Sequence, residues 1–232
     1  MKYAHVYVLF LMFVFFTSCG GQNKTDLPKE KIKSETKDIV TSPRSNDPDI
    51  HTKYEYTDSI GKRLIIHNSF PRSRINYTDP NGKKYIYAVF WTRITNETIN
   101  PIELKIDFPL DSFEFPLSSG NYMKLLIPSE TMTLDKVSLS DYGLPIKSFL
   151  DTGINKSYSL KRTIDPKEST AFYVVTLSNH GSGGILRTGL SLKGQNLFYK
   201  ISCYSSTPDL SLMDKKEINC GSINLKNLIL QE

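Results

Sequence analysis

The chain has 232 residues, 39% hydrophobic and 23% charged, with 29 basic and 24 acidic side chains. The +5 net charge is spread along the chain among acids, so the concentrated basic patch of a nucleic-acid binder is missing and no nucleic-acid partner is expected. Residues 51–232 are enough for one domain with a real core, or at most two small ones.

In chain order, the first element is the apolar run Val6 to Phe16, preceded by Lys2. It has eleven residues, where a bilayer core of roughly 30 Å needs about 20 in a helix, so it reads as a signal peptide rather than a span. The run ends in Phe16-Thr17-Ser18-Cys19, which resembles the lipobox of bacterial lipoproteins, with Phe16 in place of the usual leucine. The resemblance implies cleavage between Ser18 and Cys19, a diacylglyceryl group on the Cys19 sulfur and acylation of the new amino terminus. Residues 1–18 are then the signal peptide. The alternatives are an ordinary secretory signal with a stray cysteine, or an uncleaved anchor. Each buried CH₂ contributes roughly 0.8 kcal/mol, so two or three acyl chains anchor stably where one would not. Cleavage removes only Lys2 among charged residues, leaving +4.

Residues 19–50 form the expected tether. From Gly20 to Ile50 there are six basic and six acidic residues, three prolines and no aromatic residue, a composition that cannot offset the entropy of ordering it. As a coil, the segment spans on the order of 30 Å. Ser34-Glu35-Thr36-Lys37 matches a Ser-x-x-Lys nucleophile pattern but falls in this tether, with no pocket to lower the lysine pKa. In lipoproteins, an aspartate right after the cysteine implies inner-membrane retention in enteric bacteria, and an acidic cluster there implies surface export in Bacteroidota. Gly20-Gly21-Gln22-Asn23-Lys24 shows neither, so the expected location is the outer membrane, facing the periplasm.

Beyond the tether, alternation dominates. Ile102, Leu104, Ile106 and Phe108 fall on one face of a strand and Glu103, Lys105 and Asp107 on the other. Lys84 to Thr95 is apolar on both faces, Ile86-Ala88-Phe90-Ile94 and Tyr85-Tyr87-Val89-Trp91, as a central strand covered on each side requires. Further strands are predicted at 54–57, 63–67, 122–127, 158–164, 170–177, 185–192, 197–203 and 217–225. Turns are predicted at Asp79 to Gly82, Asp165 to Ser169 and Lys193 to Asn196, and a short helix at Pro145 to Leu150, stopped by Asp151-Thr152-Gly153. The expectation is a mainly β, antiparallel sandwich with one short helix. FWTRITNETINPIELKIDF and RTIDPKESTAFYVVTL resemble segments of Ig-like domains in bacterial envelope proteins, which implies an Ig-like fold but no particular function.

With Cys19 assigned to lipid, Cys203 and Cys220 remain. An even pair in an exported domain predicts a disulfide closing roughly 3 kcal/mol of loop entropy, the alternative being two buried thiols. Catalytic and metal-ligating patterns are sparse. His180-Gly181-Ser182-Gly183-Gly184 offers an anion cradle with His180 as base, or a plain hairpin tip. Tyr54, Tyr56, Tyr85, Tyr87 and Trp91 offer a sugar-stacking platform, or core packing. Asp58-Ser59-Ile60 resembles the Asp-Ser/Thr-aliphatic O-glycosylation motif of Bacteroidota envelope proteins, implying a glycan on Ser59. The expected function is a non-catalytic envelope binding or structural module without cofactor or metal, partnered by membrane lipid through Cys19 and by an envelope protein or glycan. The alternatives are a glycan-binding accessory lipoprotein and a hydrolase using His180.

Overall fold

Asp58-Ser59-Ile60-Gly61-Lys62 and Asp79-Pro80-Asn81-Gly82-Lys83 fold as the same turn. In each, the aspartate Oδ1 accepts two backbone N–H groups, at 3.0 and 2.7 Å in the first and 2.9 and 2.8 Å in the second. The glycine sits at a φ of 79° or 83°, where a side chain would strain the backbone. The first turn joins β1 (Ile50–Asp58) to β2 (Arg63–Ser69), and the second joins β3 (Arg72–Thr78) to β4 (Lys84–Asn96). β2 and β3 lie end to end along β4, in a nearly continuous antiparallel register interrupted at Phe70-Pro71. The interruption follows from proline, which has no N–H to give the ladder.

The computed structural model describes residues 49–114, 120–154, 156, 159–181, 183–206, 211–225 and 230–231. The remaining strands are β5 (Ile102–Asp107), β6 (Phe113–Glu114), β7 (Tyr122–Leu126), β8 (Ser159–Ile164), β9 (Ser169–Ser178), β10 (Ile185–Lys193), β11 (Asn196–Tyr204), β12 (Leu212–Asn224) and β13 (Leu230–Gln231). They form two curled antiparallel sheets. Sheet A runs β13-β1-β2-β4-β9-β7-β6, with β3 also on β4, and sheet B runs β10-β11-β12-β5-β8. The fold is therefore mainly β with one short helix, as the alternation predicts.

The two faces of β4 divide as the sequence indicates. Ala88, Phe90 and Ile94 join Phe172 and Val174 of β9 in a core shared with sheet B, where they meet Leu104, Ile106, Leu190, Tyr199 and Ile201. Tyr87, Val89 and Trp91 enter a second core on the opposite face, beneath a cap of residues 131–154. That cap holds two single turns, Leu134–Lys136 and Ser140–Gly143, and helix α1 (Ile146–Gly153). The helix is longer than expected: Asp151, Thr152 and Gly153 continue it instead of stopping it. Asp151 is held there by Tyr77, whose hydroxyl donates to Oδ1 at 2.8 Å, and by Lys147 one turn earlier at 2.6 Å.

Tyr142 pins the cap down. Its hydroxyl donates to the Phe70 carbonyl at 2.7 Å, its own carbonyl accepts the Tyr173 hydroxyl at 2.8 Å, and its ring meets Trp91 edge-on at 6.4 Å. These contacts hold Asp141 and Tyr142 at φ values of 48° and 54°, which cost backbone strain at non-glycine residues.

Candidate functional site

Three strands of sheet B build an open polar groove on the face turned away from sheet A. Ile102, Leu104 and Ile106 of β5 are buried, so Glu103, Lys105 and Asp107 point outward and are exposed. The register sets Lys105 opposite Lys161 of β8 on one side and Ser222 of β12 on the other, and Glu103 opposite Thr163 and Asn224. Glu103, Lys105, Lys161, Thr163, Ser222 and Asn224 line a depression of about 410 Å³, whose floor is the β-ladder at Leu104 and Arg162.

Gly221 makes this surface possible. It sits beside the irregularity where β12 shifts register against β11, at a φ of 143°, and a Cβ there would lie 2.0 Å from the Lys105 carbonyl. Only glycine lets the two backbones approach so closely. Beneath the groove, Arg162 turns toward sheet A, where its guanidinium donates to Thr170 Oγ1 at 2.6 Å and to the Ala171 carbonyl at 3.0 Å. Burial disfavours its charged form. It thus ties the edge strand of sheet B to β9.

The electrostatics of the groove are uneven. Asn224 donates to Glu103 at 3.1 Å. Lys105 and Lys161 are cross-strand neighbours, and neither forms an ion pair among the described residues. Like charges directly opposite on a sheet cost a few tenths of a kcal/mol to about 1 kcal/mol. An anionic group between them removes that repulsion, while Thr163, Ser222 and Asn224 stand beside it as hydroxyl and amide partners.

The predicted sites fare differently. Ser59 is exposed on the β1–β2 turn, next to an Ile60 that is 62% exposed, so it is accessible to modification. The aromatic platform does not form: Tyr56, Tyr87 and Trp91 are buried, with Tyr56 in the core between the sheets and Tyr87 and Trp91 in the core beneath the cap. Alternation does put Tyr85, Tyr87 and Trp91 on one face of β4, but the cap covers that face. The loop at His180 is not a hairpin tip, because β9 and β10 belong to different sheets and the segment crosses between them. A Cβ on Gly184 would lie 2.1 Å from the Tyr204 carbonyl, so close packing accounts for that glycine. Among the described residues no side chain hydrogen-bonds the exposed His180 imidazole, and no three His, Cys, Asp or Glu side chains gather at metal-binding distance.

The expected bridge between Cys203 and Cys220 is corrected by the strand register. Both residues are buried free thiols. β11 and β12 are neighbours, but Cys203 pairs with Asp214, while Cys220 precedes Gly221, the partner of Leu197. Six residues of strand separate the two positions, about 20 Å at the usual rise. Of residues 205–216, which the sequence reads as an exposed excursion between the two strands, Leu212 to Lys216 belong to β12 and pair with β11 near Cys203. Cys220 Sγ donates to the Leu197 carbonyl at 3.5 Å, and burial pushes its thiol up to about 12. Ser18, Cys19, the signal peptide and residues 19–48 of the tether lie outside the described residues, as do Ser182 and residues 207–210.

The geometry of the groove was not singled out by the sequence. Its alternating residues were legible in β5, but which strands flank β5 depends on long-range pairing. Comparison with known protein families, with curated proteins and with solved structures finds no match for this chain.

Proposed function

We propose that this chain is an envelope lipoprotein, acylated on Cys19, that presents a non-catalytic β-sandwich of Ig-like type as a binding module at the end of a tether. The groove on β12, β5 and β8 carries the binding reading: six polar side chains are fixed on the strands of a sheet whose other face is a packed core, and two of them are lysines set side by side that form no ion pair among the described residues. Residues on strands hold their positions better than residues on loops, which suits recognition. The lipobox-like Phe16 to Cys19 carries the anchoring, at the outer membrane facing the periplasm.

Glycan binding is the second reading, and the groove now supports it in place of the buried aromatic residues. Thr163, Ser222 and Asn224 match sugar hydroxyls, and the lysines match an acidic substituent. Ser59 on its exposed turn is the proposed O-glycosylation site.

Two measurements test the proposal. Mass spectrometry of the membrane-extracted protein is expected to find Cys19 at the amino terminus carrying acyl chains; a soluble wild-type protein with another amino terminus would defeat the anchoring. Capture from native envelope, followed by rebinding of the purified component, is expected to succeed with the wild type and to weaken at least tenfold in the Lys105→Glu, Lys161→Glu double variant. Equal binding by both proteins would remove the groove as the binding surface.

A further inference from the structure

Sheet B ends in two edge strands, β10 and β8, and they differ. The edge of β10 is sealed by side chains of sheet A. Asn68 accepts the Leu190 N–H at 2.8 Å and donates to the Leu190 carbonyl at 3.0 Å, and Tyr56 accepts the Leu192 N–H at 2.7 Å. β8 pairs with β5 along all six of its residues, but among the described residues no backbone group pairs with its other side. Asn96 donates to the carbonyl of its last residue, Ile164, at 3.0 Å. An open edge is a template for a further strand, and charge on it decides which strands it accepts.

The residues of β8 alternate. Leu160 and Ile164 enter the core between the sheets, with Arg162 between them reaching β9, while Ser159, Lys161 and Thr163 are exposed on the outer face. Lys161 stands opposite Lys105, and neither forms an ion pair among the described residues. Lys156, just before the strand, is also exposed, and no acidic residue occurs from Ile154 to Ile164, with Asp165 beginning the turn beyond. The acids on β5 are Asp107, opposite Ser159, and Glu103, opposite Thr163 and bonded by Asn224. They lie two strand spacings, about 10 Å, from a strand added to β8, whereas Lys161 lies one spacing, about 4.8 Å, away. We propose that β8 receives an extended peptide segment as a sixth strand of sheet B, one that alternates apolar and polar side chains and sets an acidic side chain beside Lys161. This names the partner class of the binding module and rests on that reading. Backbone bonds along the edge supply affinity, and alternate side chains supply selection. The inward side chains extend the apolar row of Leu160 and Ile164, and the acid removes the repulsion between Lys105 and Lys161. A second copy of this chain is a poor occupant, because its own β8 brings another Lys161 and no acid.

The test uses the chain from residue 19 with Cys19→Ser, so that no acyl group contributes, and a short blocked peptide alternating valine and glutamate. The peptide is expected to bind and to slow amide exchange along residues 159–164, leaving residues 185–193 of β10 unchanged. Proline in place of its central valine is expected to abolish binding, because proline cannot complete a ladder. Lys161→Glu is expected to lose at least tenfold in affinity with an unchanged unfolding temperature, and to gain binding of the valine–lysine peptide that the wild type rejects. Absence of binding by the wild type, binding that survives the proline, or equal affinity of the wild type and Lys161→Glu would overturn strand addition. The component captured from native envelope separates this from the reading beneath it. If that component loses affinity for the Lys105→Glu, Lys161→Glu double variant but leaves exchange along β8 unchanged, strand addition falls and the groove stands; equal binding to the double variant removes both.

Discussion

At the scale of single residues, two buried asparagines hold the sheets together. Asn68 Nδ2 donates to the Leu190 carbonyl and to Thr52 Oγ1, both at 3.0 Å, while Oδ1 accepts the Leu190 N–H at 2.8 Å and the Thr92 hydroxyl at 3.0 Å. The amide thus occupies the edge of β10 as a neighbouring strand would, and Tyr56 continues this by accepting the Leu192 N–H at 2.7 Å. Asn96 does the same work at the other end, bonding Thr98, Asn100 and Ile164. Truncating Asn68 leaves the Leu190 N–H and carbonyl buried without partners, each worth about 1–3 kcal/mol. Asn68→Ala is therefore expected to cost about 2–4 kcal/mol in a denaturant titration, and a loss below about 1 kcal/mol would show that water replaces the amide. His51 supplies a pH dependence. It packs on Phe70 at 5.2 Å, with the Arg187 guanidinium 4.9 Å from the same ring, and burial followed by that positive charge lowers its pKa to about 4. The unfolded chain takes up a proton near its ordinary 6.5 and the folded chain does not, so stability is complete above that value and falls as the pH drops toward 4. Discounted for partial exposure, the loss is about 1 kcal/mol at about pH 5. His51→Phe is expected to be less acid-sensitive than the wild type by this amount, and parallel pH profiles for the two would contradict the assignment.

At the scale of elements, turn chemistry was legible and pairing register was not. The Asp79 to Gly82 turn and the Lys193 to Asn196 hairpin form where the sequence puts them, and Asp58 to Lys62 repeats the first, because aspartate and glycine satisfy local backbone needs by themselves. β3 escaped notice since Pro71 and Arg72-Ser73-Arg74 break its alternation, and its place depends on β4. β12 shows the same limit more sharply. Residues 212–216 are polar enough to suggest a loop, yet pairing with β11 makes them strand and carries the two cysteines to opposite ends of the hairpin. Both thiols are accordingly expected to resist alkylation in the native protein and to react in denaturant, with no shift in mass on reduction; a two-proton mass change on reduction would restore the disulfide. Gly221 gives the element-scale test of the groove. Gly221→Ala forces a side chain against the Lys105 carbonyl and is expected to cost about 2–4 kcal/mol and to separate β12 from β5, read as faster amide exchange along residues 221–224.

At the scale of the whole molecule, the domain is a three-layer arrangement: sheet B, sheet A and the cap, with one core between each pair of layers. Among the described residues its two outer surfaces differ in character, with a polar groove on sheet B and the exposed Leu134 and Leu139 on the cap. Among the described residues no helix is long and apolar enough to cross a membrane. A whole-chain consequence is that removing the cap's anchor should uncover sheet A. Tyr142→Ala is expected to lower stability by about 3–5 kcal/mol and to expose Trp91, seen as a red shift of its emission, whereas unchanged fluorescence would mean that the cap is held elsewhere. The sequence by itself determined the β class, most strand positions, the two-sided burial of β4 and the turn sites, because these follow from side-chain periodicity and local backbone chemistry. Tertiary structure decided which strands pair, that Trp91 lies under a cap rather than on a platform, that the cysteines stand far apart, and that Lys105 meets Lys161. Each of those depends on contacts between residues tens of positions apart, which no local pattern specifies.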